Sequence, residues 1–512
     1  MLAMINSCAV QGLDGYNIVV EVDVGVGLSS FDIVGLPGPA VKESRERVRA
    51  AIKNSGYDFP LRRITVNLAP ADVKKDGPAF DVPIAIGILA ATGQIEYCSM
   101  LGESAFIGEL SLDGCVRSVP GVLPVADYLS RDERISNFFV PADNAAEAAI
   151  IQGISVYGID NLRQLVESLE ERVCLLPAAF DVDKEYSKKP GYAIDMSDIK
   201  GQQAAKRALE IAAAGGHNVL MIGSPGSGKT MLARCLPTIM PEMTFEESMQ
   251  VTKIYSVSGM LSSKQPLITQ RPFRSPHHSS SAISVIGGGT HPRPGEISLA
   301  CHGVLFLDEL PEFARPVLES LRQPLEDHVV SISRVAGRAD FPADFQLISA
   351  MNPCPCGYYG DTLKNCTCTQ HQRHRYMSKI SGPLMDRIDI HINVPRVEYN
   401  DLMAAPDQEE SSEVIRARVA RAREIQQKRF ADSTTFVNAH MSRRELEKFC
   451  HLSAGGQQML KMAFGQLKLS ARAYDRILKL SRTIADLAGA ADISEIHIAE
   501  AIQYRSLDRE EY

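Results

Sequence analysis

No stretch of this 512-residue chain approaches eighteen uncharged apolar residues, the minimum for a membrane-spanning helix. The first 26 residues also lack the basic start and apolar run of a secretory signal. Both absences predict a protein folded in water, in the cytoplasm, with no membrane partner. Cysteine is scarce as well: eleven residues, most of them isolated, argue against a disulfide framework. Basic charge is in short supply, and a net charge of −8 gives no global attraction to nucleic acid. Charge alone favours a metabolic enzyme, so any DNA contact has to come from local basic surfaces.

The chain is too long for one apolar core and predicts two to four domains. Its first part alternates strand-like runs (17–24, 64–68) with helical stretches (41–53, 84–91), the pattern of an α+β unit. Residues 176–195 are polar, carry prolines and show no periodicity, which reads as a linker. From 196 to 398 buried strands alternate with helices, predicting an α/β core with a parallel sheet. Beyond 399 the strand signals stop, and 413–430, 442–450, 455–467, 470–488 and 496–504 read as helices.

The chemistry concentrates in the α/β unit. Gly223, Ser224, Pro225, Gly226, Ser227, Gly228, Lys229 and Thr230 fit the spacing of a phosphate-binding loop between an apolar strand and a helix. Phosphate needs converging backbone N–H groups at a helix start, and the glycines allow that approach. Lys229 reaches the β and γ phosphates of ATP, and the Thr230 hydroxyl ligates Mg²⁺. A second apolar strand, 304–307, ends in Asp308 and Glu309. Asp308 is the expected Mg²⁺ carboxylate and Glu309 the base that activates water. A third strand, 346–350, leads to Asn352, whose amide is placed to orient that water.

This order of strands resembles the AAA+ ATPases, with a helical lid after the core. The resemblance implies two further catalytic residues. Arg387, within Gly382-Pro-Leu-Met-Asp-Arg-Ile-Asp, matches the arginine finger that acts on a neighbouring subunit's ATP. Arg472, within Leu469-Ser-Ala-Arg, matches the sensor arginine of the lid. It also implies a homo-oligomeric, hexameric ring. Gly35-Leu-Pro-Gly-Pro, Arg271-Pro-Phe-Arg-Ser-Pro-His-His, Pro292-Arg-Pro-Gly-Glu, Leu321-Arg-Gln-Pro-Leu-Glu and Asn352-Pro-Cys-Pro-Cys-Gly narrow the resemblance to the YifB/ComM family of magnesium-chelatase-like ATPases. That family implies an ATP-driven DNA motor promoting branch migration of recombination intermediates during natural transformation. A chelatase-type motor and a protein-remodelling ATPase are the alternatives. The chelatase motor is expected to lack the front domain found here. A ring needs only a few basic residues per subunit to grip the phosphate backbone. Arg334 and Arg338 at a predicted hairpin tip, and Arg271 and Arg274 on the preceding insertion, are the DNA-contact candidates.

Two features stand apart. Cys354, Cys356, Cys366 and Cys368 offer four thiolates in two close pairs, a candidate structural Zn²⁺ site beside Asn352, with reduced metal-free thiols as the alternative. Residues 1–175 resemble the proteolytic domain of Lon through Lys74-Lys-Asp-Gly-Pro-Ala-Phe-Asp and Gly108-Glu-Leu-Ser-Leu-Asp-Gly. In that register, Ala79 stands at the nucleophile and Leu123 at the lysine, so no protease activity is expected.

Overall fold

Alternating apolar residues in Leu2–Gln11 (β1) and Asp14–Gly25 (β2) bury one face of an antiparallel pair, with Gln11 opposite Asp14 at its turn. Ser30–Val34 (β3), Arg63–Ala69 (β4), Ser104–Phe106 (β5), Asn137–Pro141 (β6) and Ser155–Ile159 (β7) extend it to a seven-stranded sheet ordered β3-β4-β2-β1-β5-β6-β7. The β1–β5, β5–β6, β6–β7 and β3–β4 pairs are parallel, whereas β2 runs antiparallel to both β1 and β4. The helices Pro39–Asn54 and Asp81–Ala91 bury Val48, Ile52, Ile84 and Leu89 against that same face, beside Ile5, Ile18, Val20 and Val22. This computed structural model describes residues 2–96, 99–188, 191–289, 292–334, 337–361, 363–397, 409–467 and 470–505, apart from the side chains of 334, 337, 466 and 467.

The second sheet is wholly parallel. Val219–Ile222 (β8), Phe273–Arg274 (β9), Val304–Leu307 (β10), Gln346–Met351 (β11) and Ile390–Asn393 (β12) lie in the order β9-β10-β11-β8-β12. Every residue of β8, β10 and β11 is buried, which is why β8 and β10 read as unbroken apolar runs and β11 as one interrupted by Gln346 and Ser349. The mixed α/β class expected from the sequence is the class observed.

The C-terminal helices Ser412–Arg429, Arg443–Phe449, Ala454–Leu467, Ala471–Leu487 and Glu495–Gln503 fall close to their predicted spans. They share one apolar core with the ATPase sheet, in which Leu209, Ile348, Val419 and Ile477 are fully buried. The predicted boundary at 398 and 399 lies outside the described residues. The basic segment 415–423 turns Ile415, Val419 and Ala422 inward, so this helix is fastened by its apolar stripe.

The predicted linker is not featureless. Val182–Tyr186 is a short helix, because Phe180, Val182 and Tyr186 pack around Leu123, Ile150 and Leu267. The Tyr186 hydroxyl donates to Ser248 Oγ at 2.6 Å. The front unit docks on the helix Phe245–Ser258. There the Gly121 amide donates to the Ser256 carbonyl at 3.0 Å, and Lys253 pairs with Asp127 at 2.8 Å. Leu123 is fully enclosed in this contact, so the Lon-lysine position serves packing.

Candidate nucleotide site

Parallel strands in register end at one level, and here that level carries the chemistry. Ile222 of β8 lies opposite Met351 of β11, and Leu307 of β10 lies opposite Ser349. The residues that follow, Gly223, Asp308 and Asn352, therefore emerge side by side at the carboxyl edge of the sheet, where open α/β sheets bind ligands.

From β8 the chain turns through 223–228 into the helix Lys229–Ile239. A Cβ on Gly223 would sit 2.3 Å from the Val394 carbonyl oxygen, so no larger residue fits at the start of the turn. Ser224 and Ser227 are buried, whereas Pro225, Gly226 and Gly228 are exposed. Lys229 Nζ donates to the Gly223 carbonyl at 2.7 Å and the Ser224 carbonyl at 3.0 Å, and lies 3.4 Å from Asn352 Oδ1. Burial pushes the Lys229 pKa down, and Asp308 and Glu309 oppose that shift. Asp308 Oδ2 accepts from the Thr230 hydroxyl at 2.9 Å, which brings together the two expected Mg²⁺ ligands. The Glu309 amide donates to Asp308 Oδ1 at 2.9 Å, while its own side chain is 53% exposed and free to meet a water. Glu309 holds this position with a φ of 53°, a strained backbone of the kind that clusters at functional sites.

His278 joins this group, which sequence reasoning left unassigned. Its Nδ1 lies 3.4 Å from Glu309 Oε2, and its ring lies against His277, tilted by 34° with 4.1 Å between centroids. The adjacent His pair was the available signal. Its meaning depended on a tertiary contact.

Arg387 and Arg472 lie elsewhere, in a shared cleft also lined by Glu326, Asp386, His440 and Arg476 and by no residue of 223–230. Arg387 donates to the carbonyls of Arg322 at 3.1 Å and Pro383 at 2.6 Å, and forms an ion pair with Glu326. Arg472 pairs with Asp386 at 3.3 Å. The two arginines are thus neighbours on one side of the core and are not brought to this chain's own phosphate loop.

The DNA-contact candidates separate in the same way. Arg271 is 10% exposed and spends its guanidinium on the carbonyls of Pro241, Glu242 and His302 and on Glu247, so it acts as an internal strut. Arg274 forms a two-pronged pair with Glu296 at 2.6 and 2.8 Å. Arg338 stands on the antiparallel hairpin of Val329–Arg334 and Gly337–Pro342, 68% exposed, with a long 3.4 Å contact to Asp340. Arg334 ends the first strand of that hairpin, and its side chain lies outside the described residues.

The four cysteines after Asn352 do converge. Cys354 Sγ lies 3.3 Å from Cys356 Sγ and 3.6 Å from Cys366 Sγ, Cys356 and Cys366 are 3.6 Å apart, and all four sulfurs fall within 4.8 Å of one another. The Tyr358 amide, followed by that of Thr367, holds the Cys356 thiol down to about 6, whereas burial pushes Cys354 up to about 12.

Three family models match this chain: magnesium chelatase subunit ChlI over residues 195–402, subunit ChlI of Mg-chelatase over 20–144, and the ChlI C-terminal region over 409–505. The front unit therefore carries a chelatase description too, and its presence does not separate the two motor readings. The chain is 45% identical to the competence protein ComM of Haemophilus influenzae, over 99% of this chain and 98% of that one. It is 42% identical to the uncharacterized protein YifB of Salmonella typhimurium and 41% identical to the uncharacterized protein Mb2921c of Mycobacterium bovis, each match covering at least 98% of this chain. The loop, the paired carboxylates and the end-to-end likeness agree: the chain belongs to the magnesium-chelatase ChlI-like family of AAA+ ATPases, alongside ComM and YifB.

Proposed function

We propose that this protein is an ATP-driven motor that assembles into a hexameric ring on DNA and promotes branch migration of recombination intermediates. One observation carries the ATPase half: Lys229, Thr230, Asp308, Glu309 and Asn352 meet at the edge of one parallel sheet. In this reading Lys229 and the loop amides bind the β and γ phosphates, Thr230 and Asp308 hold Mg²⁺, and Glu309 with Asn352 directs water in line. His278 orients the Glu309 carboxylate. Arg387 and Arg472 complete the neighbouring subunit's site, which their distance from the local loop favours. The DNA half is supported by the relative named as a competence protein and by the exposed Arg338.

The four thiols are read as a structural Zn²⁺ site, because Zn²⁺ bound at about 2.3 Å to four sulfurs sets them roughly 3.8 Å apart, near the observed spacings. The test of function is DNA-stimulated ATPase activity at low salt. Severalfold stimulation by branched DNA is expected, and stimulation by an unfolded protein or by a metal-inserting partner subunit instead would favour the alternative motors.

A further inference from the structure

The cysteine loop begins immediately after Asn352 and runs to Thr369 with no helix or strand among its described residues. A loop of that length in a compact domain needs some means of holding its shape. Cations also cover its aromatic rings: Lys364 lies over the Tyr358 ring at 4.9 Å, Arg396 over the same ring at 5.7 Å, and Arg373 over Tyr359 at 4.1 Å. Its backbone is folded around the sulfurs. The amides of Tyr358 and Thr367 face Cys356, those of Gly357 and Tyr359 face Cys354, and the Cys368 amide lies 3.4 Å from Cys366 Sγ. N–H groups aimed at sulfur offset the charge left when four thiolates surround one divalent ion.

This loop also rests on the phosphate loop at three points. Gly357, at a φ of 86°, sits so close that a Cβ there would lie 2.8 Å from Pro225 Cδ and Cγ. Asp361 pairs with Arg396 at 2.9 Å and accepts from the amides of Leu363 at 2.9 Å and Lys364 at 3.0 Å, and the neighbouring Ser224 hydroxyl does most to hold its carboxyl down to about 2. Asn352, at the root of the loop, lies 3.4 Å from Lys229 Nζ. Ser224 and Pro225 are the crest of the phosphate-binding turn, and each is buttressed from the cysteine side.

We propose that the zinc-closed loop braces the phosphate-binding turn, with Asp361 and Gly357 as positioning residues, so that nucleotide affinity depends on Zn²⁺ occupancy. The inference rests on the Zn²⁺ reading above. Without the metal, the contacts to Ser224 and Pro225 are held by a loop free to open, and the amides of the turn lose their fixed aim. The brace acts on phosphate binding and leaves Glu309 and the water untouched.

The test uses full-length protein. Metal content, equilibrium binding of a fluorescent ADP, and KM and kcat for ATP are measured for wild type, Asp361→Asn and the double variant Cys366→Ser/Cys368→Ser, with melting temperatures as the folding control. Wild type is expected to carry about one Zn²⁺ per chain. Asp361→Asn is expected to keep its Zn²⁺ and melting temperature and to bind ADP about tenfold more weakly, with KM raised and kcat little changed, the effect of losing the carboxylate charge beside Ser224. The cysteine variant loses Zn²⁺ and weakens ADP binding at least as much. A zinc-free variant that binds ADP like wild type overturns the brace and leaves the metal site standing; wild type that neither contains nor takes up Zn²⁺ overturns both. Should the cysteine variant not fold, an unchanged ADP affinity in Asp361→Asn overturns the brace by itself.

Discussion

Replacing Glu309 with Gln isolates the chemical step. The side chain keeps its size and its exposed position, and the contact that ties this residue to Asp308 is made by the backbone amide at 2.9 Å, so it survives the substitution. The Thr230–Asp308 pair and the Lys229 contacts are also untouched. ATP and Mg²⁺ binding should therefore stay within about threefold of wild type, since none of the groups that hold the ground state has changed. What disappears is the acceptor for the proton of the attacking water. General-base catalysis contributes about 10²- to 10⁴-fold, which corresponds to roughly 2.7–5.5 kcal/mol of barrier. The assay is steady-state ATP hydrolysis with nucleotide affinity measured separately, and kcat should fall by that factor while affinity holds. His278→Ala should give a smaller loss, because it removes only the group at 3.4 Å that orients the carboxylate. A Glu309→Gln enzyme that keeps kcat within about threefold of wild type would refute the assignment.

Arg387→Ala should lower kcat by about 10³-fold or more and, mixed with wild type, should depress the wild-type rate out of proportion to its share, since a finger acts across a subunit boundary. Asp308→Asn should raise the Mg²⁺ requirement for hydrolysis by about tenfold, read from a metal titration of the ATPase rate. Removing Arg338 should weaken binding to all DNA sequences alike and flatten the salt dependence by about one unit of slope. Asp389 is the pH-sensitive joint between core and tail. Burial pushes its pKa up, but Arg476 at 2.5 Å and His217 at 3.2 Å outweigh it and hold the carboxyl well below its ordinary value. A depressed folded-state pKa contributes stability above the unfolded value of about 3.9, and that contribution is lost as pH falls through the folded value. Asp389→Asn should therefore cost about 3–5 kcal/mol at pH 7 in urea unfolding, with the gap to wild type closing below about pH 4.

The parts of the site that were legible in the sequence are those whose meaning is local. The turn from Gly223 to Thr230 needs glycine and lysine at fixed spacing because phosphate is recognised by backbone N–H groups, and β8 and β10 are apolar throughout, as β11 is apart from Gln346 and Ser349, because both faces of the sheet are covered. Asp308 and Glu309 followed from their place at a strand end. The contact of His278 with Glu309 spans 31 residues of chain and has no periodic signature. Arg271 looked like a surface cation on a polar insertion. Folding brings four backbone and side-chain acceptors around its guanidinium and makes it part of the interior. The segment 176–195 read as a linker because Phe180, Val182 and Tyr186 are spaced by polar residues, and the surface at Leu123, Ile150 and Leu267 is what gives these three a face. The cysteines were legible as a metal-binding pattern, but their lean on Ser224 and Pro225 comes from β8 and β11 being neighbours in the sheet.

The central claim is tested most directly by following ATP-dependent migration of a synthetic four-way DNA junction with wild type, Lys229→Ala and Glu309→Gln. The account predicts that wild type resolves the junction into its product duplexes only with ATP and Mg²⁺, and that both variants bind the junction and leave it in place. Wild type that binds no DNA at low salt, and whose ATP hydrolysis is indifferent to DNA, would contradict it.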